Sequence, residues 1–170
     1  MSSTERIESV SESDRGKYRV TKTYGHDKGV SCAFRQWRAE SHCKFIHGYS
    51  LSFAITFEAE EGDLTDEGWV IDFGDLNWLE DKLRFWFDHT TILASDDPLL
   101  DFFKAQNSRS LRLRELNKVG CEAFARHVYL LVFIKYYSKR QNVVKVTCSE
   151  HSGNSATYIG GKRKREGANS

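Results

Sequence analysis

Residues 51–58, LSFAITFE, alternate apolar and small or polar side chains. Leu51, Phe53, Ile55 and Phe57 fall on one face, and Ser52, Ala54 and Thr56 on the other, the mark of a strand buried on one side. Such a strand demands a sheet with one covered face, and the rest of the chain must supply the cover. Leu76, Leu79, Leu83 and Trp86 recur at helical spacing behind Asp72 and Asp75, acids that suit a helix N-terminus. A second helix is expected after Gly120, with Glu122 in its first turn, Phe124, Val128, Leu131 and Lys135 along one face, and an end near Tyr137. Tyr18–Tyr24 reads as a strand, and Val143–Cys148 and Ser155–Tyr158 as two closing strands around a turn at His151–Asn154. Asp96-Asp97-Pro98 is a turn or helix-start signal. The predicted fold class is α+β, a four-stranded antiparallel sheet with two helices on one face.

One domain is the natural reading of 170 residues, and 39% apolar and 13% aromatic residues can build its core. A formal net charge of +1 gives no reason to expect a nucleic acid or an anionic membrane as partner. The longest apolar run, Val128 to Ile134, is too short to span a bilayer. The polar, acidic N-terminus is unlike a secretory signal. Cys32, Cys43, Cys121 and Cys148 are scattered, as expected of reduced thiols in a cytoplasmic protein. Residues 1–16 hold almost nothing to bury and are expected to be disordered; 17–160 form the domain; 161–170 form a basic flexible tail. The KRKR run in that tail reads as solvated charge, with a localisation signal or a phosphate contact as the other reading.

Four separated pieces gather the residues that do chemistry: SHCKFIHGY at 41–49, WVIDFGDL at 69–76, FDHTTIL at 87–93 and SEHSGNSATY at 149–158. Cys43 can serve as a proton-transfer thiol with His47 as a metal ligand, or be a buried Cys beside a strand-capping His. In Asp88-His89 a carboxylate can fix an imidazole and select its tautomer; alternatively the His closes a helix C-terminus. Glu150 ends an apolar strand, where a carboxylate without a partner is costly. A ligand with two adjacent N–H donors would supply one, since a carboxylate accepts both together; the other reading is an exposed strand-end Glu. Glu122 reads more simply as a first-turn helix residue. Arg35, Arg38, Lys44 and His42 cluster near Cys43, either to meet a triphosphate or as parts of a solvated loop around Trp37.

In order and spacing these pieces resemble the 6-pyruvoyltetrahydropterin synthase / 6-carboxytetrahydropterin synthase family, from about Tyr18 to Tyr158. The resemblance implies the tunnelling fold, in which subunits join their sheets into a barrel, and hence a homo-oligomer, expected to be a hexamer. It implies Cys43, Asp88 and His89 as the proton-transfer set and Glu150 as the pterin anchor. It also implies zinc. The family's Cys, three residues, His-Gly-His motif is matched by Cys43, His47 and Gly48, but Tyr49 replaces the last His, itself a zinc ligand in the family. The third family ligand is a His at the end of the first strand. KTYGH at 22–26 makes His26 the preferred candidate; the register through SCAFRQ at 31–36 puts Phe34 there instead. The expected ligands are His26 and His47, with Tyr49, His42, Cys32 or nothing as the third. The implied activity is a 6-carboxytetrahydropterin synthase-like lyase acting on 7,8-dihydroneopterin triphosphate in 7-deazaguanine and queuosine biosynthesis. The alternatives are a 6-pyruvoyltetrahydropterin synthase, a catalytically inactive pterin- or purine-binding protein on the same fold, and a structural module.

Overall fold

A computed structural model of the chain describes residues 16–137 and 141–161. The expected disorder of residues 1–15 and the basic tail from residue 162 lie outside the described residues. In chain order the elements are β1 (Lys17–Tyr24), β2 (Ser31–Phe34), β3 (His47–Ser50), β4 (Ser52–Glu60), α1 (Asn77–Phe87), β5 (Thr90–Ala94), α2 (Leu100–Gln106), β6 (Leu113–Leu116), α3 (Cys121–Lys135), β7 (Asn142–His151) and β8 (Asn154–Ile159). Four short 3-10 turns punctuate them among the described residues.

The larger sheet is antiparallel throughout, in the order β1-β4-β7-β8. It is made of the four expected strands. The alternation of β4 does what its pattern dictates: Leu51, Phe53, Ile55 and Phe57 have no exposed surface. On the opposite face Thr21 and Thr56 share a hydrogen bond of 2.8 Å, as do Thr147 and Thr157. Arg19 and Lys17 there reach Glu58 at 2.8 and 3.5 Å.

The two expected helices supply the cover. The Asp72 carboxylate accepts the amide of Gly74 at 2.7 Å and opens the turn that leads into α1. Leu76, Leu79, Leu83 and Phe87 are fully buried, while Trp86 is only half-buried. The stripe therefore closes on Phe87, the residue in register after Leu83, and not on Trp86. On α3 the buried residues are Cys121, Phe124, Ala125, Val128, Tyr129 and Val132. Leu131 and Lys135, expected on this face, sit off it, because the stripe advances by three and four from Cys121.

A second sheet, unforeseen, lies beside the first in the order β3-β2-β5-β6. It is mixed: β2 pairs antiparallel with β3 and parallel with β5, and β5 parallel with β6. Its strands are four or five residues long, too short for alternation to declare them. The Asp96-Asp97-Pro98 signal marks the turn into α2, where the Asp97 carboxylate accepts the Leu99 amide at 2.8 Å. All four cysteines are free, and among the described residues no helix is long and apolar enough to cross a membrane.

Candidate active site

The small sheet and the end of β7 carry the chemistry. Cys43 lies in the loop between β2 and β3, in a single 3-10 turn over His42–Lys44. Its amide donates to the Ser41 hydroxyl at 3.4 Å, and its carbonyl accepts the Gln36 amide at 2.9 Å. Gln36 also reaches across to the start of α3, donating from its side chain to the Val119 carbonyl at 3.4 Å. Gly120 makes that approach possible: its φ is 125°, and a Cβ there would stand 2.4 Å from the Gln36 amide nitrogen. Gln36 thus ties the Cys43 loop to the first turn of α3, where Glu122 is exposed. No pattern in the sequence singles out Gln36; Gly120 was its only trace.

The loop is also pinned from below. Arg35 forks onto Asp97 through two bonds of 2.8 and 2.7 Å, and the Asp97 side chain is fully buried. Burial alone would raise the Asp97 carboxyl, but the Arg35 fork and the Leu99 amide outweigh it and hold it below its ordinary value. Arg38 stacks on Trp37 at 4.1 Å and binds Asp96 at 2.7 Å. Both arginines considered for a triphosphate are thus engaged by carboxylates of the chain itself. Lys44 rests over the Phe45 ring at 5.4 Å.

The register of β2 and β3 decides which rings meet. Phe34 lies opposite His47, and Cys32 opposite Tyr49. Residues two apart in a strand share a face, so all four project to one side. The Phe34 and His47 ring centroids are 4.7 Å apart, Phe34 and Tyr49 6.2 Å, His47 and Tyr49 5.7 Å. Gly48 between them allows the two backbones this approach, since a Cβ there would meet the Cys32 carbonyl oxygen at 2.8 Å. The Nδ1–H of His47 donates to the Phe45 carbonyl at 2.8 Å. His26 is placed elsewhere. It sits in the turn after β1, is exposed, and donates from Nδ1 to the Ser50 carbonyl. Ser50 is three residues beyond His47, about 10 Å along the strand, and faces the other side. Among the described residues no group of three His, Cys, Asp or Glu converges on a point where an ion could be held.

The expected contact inside Asp88-His89 is present. His89 Nδ1 lies 2.7 Å from an Asp88 carboxylate oxygen, and Arg84 approaches the other oxygen at 3.7 Å. The carboxylate accepts the hydrogen bond from Nδ1–H, which leaves Nε2 as the free nitrogen of a ring that is 80% exposed. His89 has φ 53°, an uncommon conformation for a side chain of its size. Its amide donates to the Ser31 carbonyl at 2.7 Å, and its ring is bound to Asp88 instead of to the last carbonyls of the helix. That bond places His89 at the Ser31 end of β2, whereas Cys43 is bound to Gln36 beyond the other end. Five residues of extended chain separate the two anchors, about 16 Å. One chain does not bring Cys43 to the Asp88–His89 pair.

Glu150 occupies an irregularity of β7, between Ser149 opposite Ser155 and His151 opposite Asn154. Its side chain is half-buried, and no hydrogen bond or ion pair with another described residue engages its carboxylate. The next residue, His151, packs its ring against Tyr49 at 5.9 Å, which joins the end of β7 to the ring face of β2 and β3. Beneath lie three thiols. The Cys148 thiol is pushed up by its hydrogen bond with Cys121, by burial, and by the charge of Glu150 among its neighbours. Burial pushes the Cys32 thiol up to about 12. All three are buried, which leaves the half-buried Cys43 as the accessible thiol.

A cavity of about 760 Å³ has none of Cys43, His89 and Glu150 in its lining. Glu115, Lys118, Glu122, Arg126, His127 and Tyr158 line it. His127 has its Nε2 buried without a hydrogen-bond partner, and burial lowers its pKa.

Comparison with known proteins gives this arrangement a family. Residues 26–161 match the family described as 6-pyruvoyl tetrahydropterin synthase. A stretch of 77 residues is 36% identical to the probable 6-carboxy-5,6,7,8-tetrahydropterin synthase of Halobacterium salinarum, covering 44% of this chain and 45% of that protein. An uncharacterized protein of Wolinella succinogenes has a similar structure, with a TM-score of 0.71 at 20% identity over 85% of this chain and 98% of that one. The 6-pyruvoyl tetrahydropterin synthase of Plasmodium falciparum does so with a TM-score of 0.58 at 15% identity, over 84% and 96%. The α+β architecture of these structures is the tunnelling fold expected above, and the chain belongs to the 6-pyruvoyl tetrahydropterin synthase family.

Proposed function

We propose that this chain is a 6-carboxytetrahydropterin synthase-like lyase that holds a reduced pterin by Glu150. The observation that carries the reading is the Glu150 carboxylate. It is half-buried, makes no hydrogen bond or ion pair to another described residue, and immediately precedes His151, whose ring packs on Tyr49. A pterin edge presents two adjacent N–H donors, and a carboxylate accepts both in charge-assisted bonds. The likeness to the Halobacterium protein favours the carboxy branch, and with it a place in 7-deazaguanine and queuosine biosynthesis. Cys43 takes a proton from the substrate side chain, and His89, held by Asp88, returns one.

Since Cys43 and the Asp88–His89 pair sit at opposite ends of β2, a site that uses all three draws them from two copies of the chain. This supports the homo-oligomer, with a hexamer as the expected order. The edge strands β1 and β8 of the larger sheet have no further strand beside them among the described residues, and pairing with another copy would cover them. Incubation with 7,8-dihydroneopterin triphosphate followed by mass detection tests the reaction. Conversion by the wild type, and none by Cys43→Ala with pterin binding retained, is the expected result. A near-wild-type rate in Cys43→Ala ends the proton-transfer role.

A second reading, an inactive pterin- or purine-binding protein, is favoured by one observation. Arg35 and Arg38 are already committed to Asp97 and Asp96, so neither guanidinium is available to a triphosphate. Binding of the pterin without triphosphate release selects this reading.

A further inference from the structure

The resemblance implies a zinc ion on this fold, and the side chains present do not fit one. Three positions converge on the common face of β2 and β3: Phe34, His47 and Tyr49, with ring centroids 4.7 to 6.2 Å apart. A triangle of that size suits one ion shared by three imidazoles, yet only one imidazole is there. A catalytic zinc takes three protein ligands from N, S or O donors at ~2.0–2.3 Å. The Phe34 ring has no lone pair to give. The Tyr49 phenol is not among the thiolate, imidazole and carboxylate donors that zinc sites use. His26 cannot complete the set, because it hangs from the Ser50 carbonyl at the far end of β3, and Ser50 faces away from His47 and Tyr49.

The same rings are packed like a small apolar wall. Phe34 is 1% exposed and meets Phe124 of α3 edge-on at 5.2 Å. Tyr49 continues the wall to His151, the neighbour of Glu150. A flat ring gripped at its edge by Glu150 would have this wall beside it, and aromatic rings attract one another at such separations. We propose that this hairpin has exchanged a three-ligand metal centre for a ring cluster, and that the chain binds a flat, N–H-bearing heterocycle of the pterin or guanine kind without zinc. The identity of that ligand rests on the function proposed above; the exchange of the metal centre does not.

Zinc content decides the exchange directly. The full chain, dialysed with equimolar zinc and passed through gel filtration, is expected to retain less than about 0.1 zinc per chain. Retention of about one zinc per chain, released by His47→Ala, overturns the proposal. The double variant Phe34→His/Tyr49→His is expected to gain about one zinc per chain, and to compete for it with a chromophoric chelator ~100-fold better than the wild type. If that variant folds, by circular dichroism, and gains no zinc, the three positions do not converge as described and the proposal fails. Tyr49→His alone alters only a half-buried ring, and is expected to raise zinc affinity to an intermediate level if the double variant does not fold; no rise overturns the proposal. Fluorescence titration with 7,8-dihydroneopterin is expected to give equal affinity with and without EDTA. A tenfold or larger loss on chelation, ~1.4 kcal/mol, overturns the metal-free reading. Absence of binding under both conditions, with no zinc in the wild type, supports the exchange and removes the pterin reading instead.

Discussion

The two sheets of this protein are held together by different means. In the larger one, β1 and β4 pair over eight residues, and β4 carries a row of apolar side chains with no exposed surface. Its cohesion is hydrophobic and distributed over the α1 and α3 stripes. The smaller sheet has strands of four or five residues and draws much of its order from particular polar contacts: the Arg35–Asp97 fork, the Gln36 bridge from Cys43 to Val119, and the His89 amide on Ser31. The candidate site residues Cys43, His47 and His89 belong to that smaller sheet and its loops. A broad core supplies stability, and a short polar frame holds the loops that carry the reactive groups.

Four substitutions break or sharpen this contrast. The largest effect is expected from Phe53→Ala in the broad core. It leaves a cavity at a fully buried position and should cost about 4 kcal/mol, read by chemical denaturation. A cost under 2 kcal/mol would mean that the larger sheet is not the main source of stability. Next is Asp97→Ala, which strands the Arg35 guanidinium and should cost about 3 kcal/mol. This loss depends on pH. The Asp97 carboxyl is depressed in the folded protein, so its contribution is present in full above the unfolded value of ~3.9 and fades as pH falls through the folded value. The difference between wild type and variant should therefore shrink below about pH 4. A constant difference down to pH 2 would remove the ion pair as the cause.

Glu150→Gln should weaken binding and barely change stability. The amide presents one acceptor and one donor where the carboxylate presents two acceptors, so one pterin N–H faces a donor. Affinity should fall by about 1.5–3 kcal/mol, one to two decades, in a fluorescence titration. A large drop in thermal midpoint instead would make Glu150 a structural residue. The smallest effect is expected from Arg19→Ala, on the exposed face of the larger sheet. Arg19 is 68% exposed beside Glu58, and such pairs contribute about 0.2–1 kcal/mol, less at high salt. A loss well above this would show that the polar face of β1 and β4 holds the fold as firmly as the buried one.

The contrast between the sheets also accounts for what could be foreseen. β4 was legible because its eight-residue alternation is a local property of the chain, and α1 because Leu76, Leu79 and Leu83 repeat over about two turns. Asp88-His89 and the strand-end Glu150 stand out as motifs; the structure places the first in contact and gives the second no hydrogen bond or ion pair to another described residue. Nothing local announced β2, β3, β5 and β6. A four-residue strand has too few residues to show a period, and it becomes a strand only when a neighbour accepts its hydrogen bonds.

By itself the sequence determined the fold class, the covered face of the main sheet, and a short roster of reactive residues, since periodicity and motif chemistry are written along the chain. Only the tertiary structure decided which of those residues meet. The sequence offers His26 as a partner for His47, but the register of β2 against β3 brings Phe34 and Tyr49 to it instead. Arg35 and Arg38 offered themselves to a phosphate, but the turn after β5 delivers Asp97 and Asp96 to them. The physical reason is common to both. A side chain's partner is set by strand register and loop closure between segments far apart in sequence, and a shift of one residue turns the same side chain to the opposite face.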